Sequence, residues 1–567
     1  MNLFLKSLLL SWFMLWSAAC GGDDPAPGGN GNASGADMVL RNGAIYTVNP
    51  NNPWAEAVAI EEGVIVFVGS DAEVEEYIGD NTTVEDLNGR MVMPGIHDVH
   101  IHPLEAASQA ISFELSPDET NPERFARDIE NADFDNPGSG WLIGWGHSIF
   151  TLLDAQRPVK EIIDEVVPNR PVIILEATSH SAFVNSRALE IAGFTANSPD
   201  PVGGIIVKDP ITGEPNGLLI DNAGNLVMDI ALAPNAITNR QNRDGLVNFM
   251  LPELARHGIT SICDARTYWK REHHLTWQQI EADGQLTARV NLGLWAYPND
   301  DDAEQIAAIR ALYSNDPNSF LKINQIKLYS DGIVQNTTAA MHSNFLTNLF
   351  NRSRNNGLNY FTEQRIADYI AALEPTGFDF HIHTIGDRGI TETLNAIEAS
   401  GTANGRHRLT HVEIMQASDY PRFAALNVTA DAQVAGDFSN PSQWSENEEF
   451  IGAAKSQNVI PLKSLSEANA RITLSSDHDV STMNPFVGLQ NAVTRAPQEL
   501  SLEKAIRAYT INAAYVMRQE NLVGSIEVNK AADLIVIDQN LFNIAVNRIS
   551  NTRVDLTILA GEVIHRR

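Results

Sequence analysis

Histidine, lysine and aspartate side chains recur at the ends of apolar, strand-like runs. The first such run ends in His100-Ile101-His102, and because side chains alternate along a strand, both imidazoles lie on one face. Later runs end in further candidates: Lys327, His381, His383, His411 and Asp477. Each alone has an ordinary explanation, such as a surface cation for Lys327, a packed core histidine for His381 or a helix cap for Asp477. Together, imidazoles and a carboxylate predict a divalent metal site, most simply for zinc.

The runs that carry these residues alternate with longer helical stretches, which is typical of βα units in a parallel sheet. Eight strands are predicted, the number that closes an α/β barrel. They cover residues 93–102, 258–265, 289–297, 323–332, 378–387, 408–414, 427–433 and 471–479. Catalytic groups of such barrels lie at the carboxyl ends of the strands, so the candidate residues are expected to meet. The predicted fold class is α/β, a (β/α)8 TIM-like barrel within residues 93–519.

Such a barrel usually takes about 250 residues, so this one needs a large insertion. We place it after the first barrel strand, at about residues 104–257, where the sequence carries its own strand at 171–176. The two ends of the chain are rich in short β runs. Residues 38–92 and 520–567 are therefore predicted to form one small β-sandwich.

Two turn signals lie in the first of these β-rich ends. Asn42-Gly43 and Glu62-Gly63 each separate alternating apolar segments. Both pairs predict β-hairpins.

The first residues follow the order of a secretory signal peptide: Lys6, an apolar run and then small residues. The run of about ten residues is too short for a transmembrane helix, which needs roughly 20. Residues 1–19 are predicted as the signal peptide, and Ser17-Ala18-Ala19-Cys20 resembles a bacterial lipobox, although Leu is usual at the position of Ser17. Cys20 is then the lipidated first residue of the mature chain, and residues 20–37 are a flexible, Gly-rich tether. We expect an exported lipoprotein anchored to the membrane; ordinary cleavage with a free N-terminal thiol is the alternative.

Composition limits the partners. The chain has 567 residues, and 39 basic against 71 acidic side chains give a formal net charge of −32. A negative field of this size argues against binding nucleic acid through general electrostatic attraction. Neither the substrate nor the oligomeric state follows from composition.

The motif around the first histidine pair, PGIHDVHIHP, resembles the first metal motif of the amidohydrolase superfamily. The order HxH, Lys, His, His and Asp along a barrel is similar to that of its binuclear members. More narrowly, several further segments resemble the amidohydrolase family 3 branch. They are WLIGWGHS, SHSAFVNSRALEIAG, IKLYSDG, HIHTIGDRGI, RHRLTHVEIM, SSDHDV and the closing KAADLIVID. The resemblance covers about residues 38–567.

The resemblance implies a metal site whose ligands match by position. They are His100, His102, Lys327, His383, His411 and Asp477, with two zinc ions as the expected metals. His381 is expected to be packed or to support a ligand. In the insertion, His180 matches a histidine that faces the substrate. Ser179 and the pair His478-Asp479 depart from the family pattern and leave the substrate open.

Lys327 is expected to bridge the two metals as a carbamate. An ordinary lysine is a cation at neutral pH and has no lone pair for a metal, so it binds one only after reaction with CO₂. The alternative is a lysine that pairs with Asp331 and holds the loop after barrel strand 4 beside a one-metal centre.

The implied reaction is hydrolysis of a C–N bond in a small amide, N-acyl or cyclic amide compound. Metal-activated hydroxide attacks the carbonyl, Asp477 serves as general base and then acid, and His180 donates to the oxyanion. Trp145 and Asp331 are predicted to contact substrate alongside His180. His147, Phe183 and His342 line the pocket in this interpretation, with core or surface positions as the alternative.

Three other functions stay open. An ester or lactone passes through the same tetrahedral intermediate, so C–O hydrolysis is the enzymatic alternative. A solute-binding lipoprotein belongs to a different class, but its fold would not place metal ligands at barrel strand ends. A barrel that has lost its chemistry disagrees with the complete ligand set.

Overall fold

The computed structural model describes residues 35–116, 121–153, 157–402, 404–436 and 440–567. The predicted signal peptide, Cys20 and all but the end of the predicted tether lie outside these ranges. Within them, the structure has no helix with the length and apolar character that crossing a membrane requires.

Eight parallel strands form the central sheet, and their order in the sheet is their order along the chain. We number them barrel strands 1 to 8: Ile96–Ile101, Ile259–Thr267, Arg289–Trp295, Leu321–Tyr329, Asp379–Thr384, Arg408–His411, Thr429–Gln433 and Arg471–Ser475. Each overlaps a strand predicted from the sequence. The α/β barrel predicted for the chain is confirmed.

Main-chain hydrogen bonds join the last barrel strand to the first. The Asp477 N–H donates to the His100 carbonyl at 2.8 Å, and the His102 N–H donates to the His478 carbonyl at 2.6 Å. The barrel is therefore nearly closed at its carboxyl end. This seam brings the His100-Ile101-His102 segment beside Asp477.

Helices connect the strands and supply the outer half of the core. Side-chain caps begin several of them; for example, the Asp301 carboxylate accepts the N–H groups of Ala303 and Glu304. Buried residues of these helices, such as Trp277 and Ile370, share one hydrophobic cluster with the barrel strands. The α-helices are Asp71–Val74, Pro103–Ala107, Pro122–Asp135, Ile149–Leu153, Val159–Val166, Ser186–Ala192, Asn222–Ala231, Ala236–Gly245, Leu251–Arg256, His273–Ala282, Asp302–Leu312, Glu363–Leu373, Asp387–Ala399, Tyr420–Ala425, Glu448–Ile451, Ala453–Ser456, Leu462–Glu467, Pro485–Thr494, Leu502–Tyr509 and Ile511–Val516.

The segment between barrel strands 1 and 2 carries a sheet of its own. Its six strands, in sheet order, are Gly204–Lys208, Pro215–Asp221, Ser181–Val184, Val172–Leu175, Leu142–Gly146 and Phe113–Leu115. The sequence predicts only the strand at 171–176. Apolar residues cover both faces of this sheet and form two separate hydrophobic clusters.

Two further sheets are built from the ends of the chain. One has the order Val64–Gly69, Ala57–Glu61, Met38–Arg41 and Thr83–Asp86; the other has the order Glu562–Arg566, Val554–Leu559, Leu534–Ile537, Met91–Pro94, Ala44–Tyr46 and Trp54–Ala55. Side chains of both sheets, such as Leu40 and Val536, share one hydrophobic cluster. Strands from both ends of the chain therefore pack as a sandwich.

The two predicted hairpins have different outcomes. Glu62 and Gly63, with φ of 50° and 76°, join antiparallel strands as a hairpin turn. The hairpin predicted at Asn42-Gly43 is wrong. Met38–Arg41 pairs in the first sheet, whereas Ala44–Tyr46 pairs in the second. This turn therefore carries the chain from one layer of the sandwich to the other.

Candidate metal centre

The seam between barrel strands 8 and 1 brings three potential ligand atoms together. Nε2 of His100 lies 3.2 Å and Nε2 of His102 lies 3.0 Å from Oδ1 of Asp477. The two Nε2 atoms are 3.3 Å apart, and all three side chains are buried. Two imidazole nitrogens and a carboxylate oxygen in this arrangement fit a divalent ion that prefers nitrogen and oxygen ligands, such as Zn²⁺.

His383 and His411 lie at the carboxyl ends of barrel strands 5 and 6, at the same end of the barrel as His100, His102 and Asp477. The His383 ring stacks on Tyr329 with centroids 4.0 Å apart, and its Nε2–H donates to the Gly332 carbonyl at 3.2 Å. Its Nδ1 is buried and has no hydrogen-bond partner among the described residues. Such an unpartnered lone pair is what a metal ligand requires. Nδ1 of His411 lies 3.9 Å from Oδ2 of Asp477.

Burial sets the charge of these imidazoles. It lowers the pKa of His100 and of His383 well below the usual range and lowers the pKa of His411 to about 3. The neutral ring is the form that binds a metal. Burial alone would raise the pKa of Asp477, but the adjacent imidazoles of His100 and His102 hold it well below its usual range.

Lys327, at the end of barrel strand 4, is fully buried. Its Nζ lies 3.3 Å from Nε2 of His100. Burial, together with the positive charges of Arg266 and Arg408, lowers the pKa of this amine well below its usual range against the opposing effect of Asp477. The structure thus places Lys327 with the histidine ligands implied by the resemblance.

Asp331 has partners other than Lys327. Its carboxylate accepts main-chain N–H groups from Ala340 at 2.8 Å, Ile385 at 3.0 Å and Gly386 at 2.8 Å. No ion pair with Lys327 is found in the described part of the chain. Asp331 therefore holds together the loops after barrel strands 4 and 5, and the substrate contact predicted for it stays a prediction.

A layer of hydrogen bonds lies beneath the candidate ligands. Nδ1 of His100 has two neighbours, Oγ1 of Thr410 at 2.7 Å and Nε2 of His381 at 3.0 Å. The Thr410 hydroxyl donates to Oδ2 of Asp431 at 2.8 Å, so its oxygen is free to accept from His100. Arg408 donates to Nδ1 of His381 at 2.8 Å. His381 thus supports His100.

Asp431 also forms a second candidate metal group with His100 and His381. Its oxygens already accept hydrogen bonds from Thr473 at 2.8 Å and from Gln433 at 2.9 Å. We therefore assign Asp431 to the supporting layer. The sequence analysis missed it, although an acid inside the apolar run NVTADAQ is an available signal.

His180 reaches the same region from the insertion. Its ring lies 5.2 Å from the His383 ring and 5.6 Å from the Tyr329 ring, measured between centroids. Nδ1 of His180 lies 2.7 Å from Oδ1 of Asp221, and the Asp221 N–H donates to the His180 carbonyl at 2.7 Å. Asp221 was also missed; it ends the apolar strand GLLID.

Several of these residues have left-handed backbone conformations. The φ angle is 60° at Ser179, 52° at Asp221, 74° at His411 and 55° at Asp477. Non-glycine residues adopt this conformation at an energetic cost that surrounding contacts must offset. Its recurrence here shows how closely the fold constrains the site.

A cavity of about 500 Å³ opens beside the centre, between the insertion and the barrel. Trp145 lines it together with Glu105, His478 and Asp479. Oε2 of Glu105 lies 3.3 Å from Nδ1 of His102, so the cavity wall touches a candidate ligand. Trp145 is thus placed where a substrate contact is possible.

The three remaining pocket candidates lie elsewhere. His147 and Phe183 are buried and pack against Phe125 in the insertion. His342 is exposed, with Nε2 3.4 Å from the Thr391 hydroxyl. For these three, the structure matches the core and surface alternatives.

Comparison with known proteins covers almost the whole chain. The model of the amidohydrolase family matches residues 83–565. Protein LONG AFTER FAR-RED 3 of Arabidopsis thaliana is 27% identical over 89% of this chain and 88% of its own length. An N-substituted formamide deformylase of Arthrobacter pascens is 26% identical over 94% of this chain and 98% of its own length.

A solved structure shares the fold. The crystal structure of an uncharacterized metal-dependent hydrolase from Pyrococcus horikoshii OT3 superimposes with a TM-score of 0.71 at 20% sequence identity. The match covers 90% of this chain and 99% of that one. Since the family model also spans most of the sequence, the chain belongs to the amidohydrolase family.

Proposed function

We propose that the protein is a metal-dependent hydrolase of non-peptide C–N bonds in small amide, N-acyl or cyclic amide compounds. The observation that carries the proposal is the convergence of His100, His102 and Asp477 at the barrel seam. Nearby lies Nδ1 of His383, which has no hydrogen-bond partner in the part of the chain that the structure describes. The similarity to a deformylase of N-substituted formamides supports an amide-type substrate.

Six residues would hold the metal, for which we propose two zinc ions. They are His100, His102, Lys327 as a bridging carbamate, His383, His411 and Asp477. A bound divalent metal would lower the pKa of water to about 7 and would polarise a carbonyl oxygen.

Asp477 is proposed to move the proton. Its Oδ1 lies within hydrogen-bond distance of His100 and His102, whereas its Oδ2 is 3.9 Å from Nδ1 of His411. Oδ2 accepts a proton from the attacking water and returns it to the departing nitrogen. Because its pKa lies well below the usual range, the Asp477 carboxylate is ionised and begins the reaction as the base.

The test is a substrate panel on the zinc-loaded enzyme with its metal content measured. N-butylformamide, a cyclic amide, butyl formate and a lactone are compared by release of amine or acid. We expect amide hydrolysis, a loss of at least about 100-fold in kcat for Asp477→Asn, and wild-type rates for the control His342→Gln. Hydrolysis of the ester and lactone alone would favour the C–O alternative, and no hydrolysis by metal-loaded enzyme would reject the function for these classes.

We also propose that the protein is exported and anchored to a membrane through lipid on Cys20. The order of Lys6, the apolar run and Ser17-Ala18-Ala19-Cys20 supports this proposal. A membrane-anchored hydrolase would meet its substrate outside the cytoplasm.

A further inference from the structure

His180 is held firmly on one side of its ring. Asp221 binds its Nδ1 at 2.7 Å, and the same residue donates its main-chain N–H to the His180 carbonyl at 2.7 Å. Both side chains are buried. The two bonds tie the end of one insertion strand to the start of another and fix the imidazole in place.

This contact determines which nitrogen carries the proton. An aspartate carboxylate only accepts hydrogen bonds, so Nδ1 of His180 must carry the hydrogen. A neutral imidazole has one N–H, which leaves a bare lone pair on Nε2. Within the described ranges, Nε2 of His180 has no hydrogen-bond partner. In its neutral form the ring therefore presents an acceptor, which is the opposite of the oxyanion donor that the sequence analysis expects.

The position of the ring places this acceptor beside the metal centre. The rings of His180, Tyr329 and His383 lie side by side, with His180 5.2 Å from His383 between centroids. A substrate whose carbonyl is bound beside His383 also lies beside the His180 ring, because the two ring centroids are only 5.2 Å apart, so the atom next to the carbonyl can face His180. In a secondary amide that atom is a nitrogen with a hydrogen to donate.

We propose that Asp221 is a positioning residue that fixes His180 as the acceptor for a substrate N–H. The site then favours amides with an N–H over esters and N-methylated amides. An analogue without the N–H leaves this acceptor unpaired in the complex, and sites of this kind reject such analogues strongly. This inference rests on the proposed amide hydrolysis.

The first experiment compares two substrates in two enzymes. N-butylformamide offers the N–H, and N-butyl-N-methylformamide does not. In Asp221→Asn the amide N–H can donate to Nδ1, which moves the imidazole hydrogen to Nε2 and removes the acceptor. We expect kcat/KM for N-butylformamide to fall by at least about tenfold more than for the N-methyl compound.

Equal losses for both substrates would overturn the proposal, because a merely structural role of Asp221 does not distinguish them. His342→Gln serves as the control and should leave the substrate ratio at the wild-type value. If wild type hydrolyses neither compound, the proposed function fails for formamides, and the acceptor role is then decided by the second experiment alone.

The second experiment observes the proton directly. In zinc-loaded enzyme with ¹⁵N-labelled histidine, the His180 signals are assigned by their loss in His180→Gln. We expect the hydrogen on Nδ1 in wild type and on Nε2 in Asp221→Asn. A wild-type ring protonated on Nε2, or on both nitrogens, would overturn the proposal whatever the enzyme hydrolyses.

Discussion

Thr410 offers a test of how the barrel prepares His100 for a metal. Its hydroxyl donates to Asp431 at 2.8 Å and lies 2.7 Å from Nδ1 of His100. If Thr410 accepts the Nδ1–H, Nε2 keeps a bare lone pair directed toward His102 and Asp477. Thr410→Val removes the acceptor with little change in shape, whereas Thr410→Ser keeps it.

The expected magnitude follows from one buried hydrogen bond. An unsatisfied buried N–H costs about 1–3 kcal/mol, and loss of a partner behind a ligating histidine typically lowers metal affinity 10–100-fold. We therefore expect Thr410→Val to bind zinc at least about tenfold more weakly than Thr410→Ser, equivalent to about 1.4 kcal/mol. Competition with a zinc chelator measures both affinities.

A second neighbour, His381, competes with Thr410 for Nδ1 of His100, and this competition defines the result that would contradict the prediction. His381 lies 3.0 Å from the same Nδ1 and accepts from Arg408 on its other nitrogen, which puts its own hydrogen on the side of His100. If His381 rather than Thr410 decides which His100 nitrogen is protonated, the valine and serine variants will bind zinc equally.

Three more predictions address the remaining residues. Lys327→Ala should lose most activity and one of two zinc ions, with partial recovery on adding a small carboxylic acid; one tightly bound metal in fully active wild type, with no additional mass or density on the amine, would reject the carbamate. Trp145→Ala should raise KM several-fold with little change in kcat, because Trp145 lines the cavity and is neither a candidate metal ligand nor the proposed proton carrier; an unchanged KM would remove it from the substrate site. A fatty-acid analogue should label wild type but not Cys20→Ser in the producing cells, and equal labelling of both would exclude lipidation at this residue.

The barrel could be predicted because its signals are local. Each strand is an apolar run with flanking helices, and alternation along a strand puts His100 and His102 on one face without knowledge of any partner. Parallel strands then bring Lys327, His383 and His411 to the same end. This much of the candidate site follows from periodicity and fold class.

Pairing between distant segments could not be predicted in the same way. Asn42-Gly43 has the composition of a hairpin turn, but its flanking strands find partners in different layers of the sandwich. In the sequence, Asp431 is a single polar residue within a strand. Its supporting role becomes visible only when the fold places Thr410, Gln433 and Thr473 around it. Turn chemistry and residue type are encoded locally, whereas the choice of partner depends on the whole fold.

The insertion shows what this dependence means for function. His180 and Asp221 are separated by 41 positions in sequence, yet they meet because antiparallel strands of the insertion run from His180 and into Asp221. The barrel supplies the candidate metal ligands from its own strands, whereas the insertion supplies His180, its carboxylate partner and Trp145. The proposed substrate contacts and the candidate metal ligands thus come from different parts of the chain. We therefore expect substitutions in the insertion to change substrate preference more than metal content, and substitutions of the barrel ligands to do the reverse.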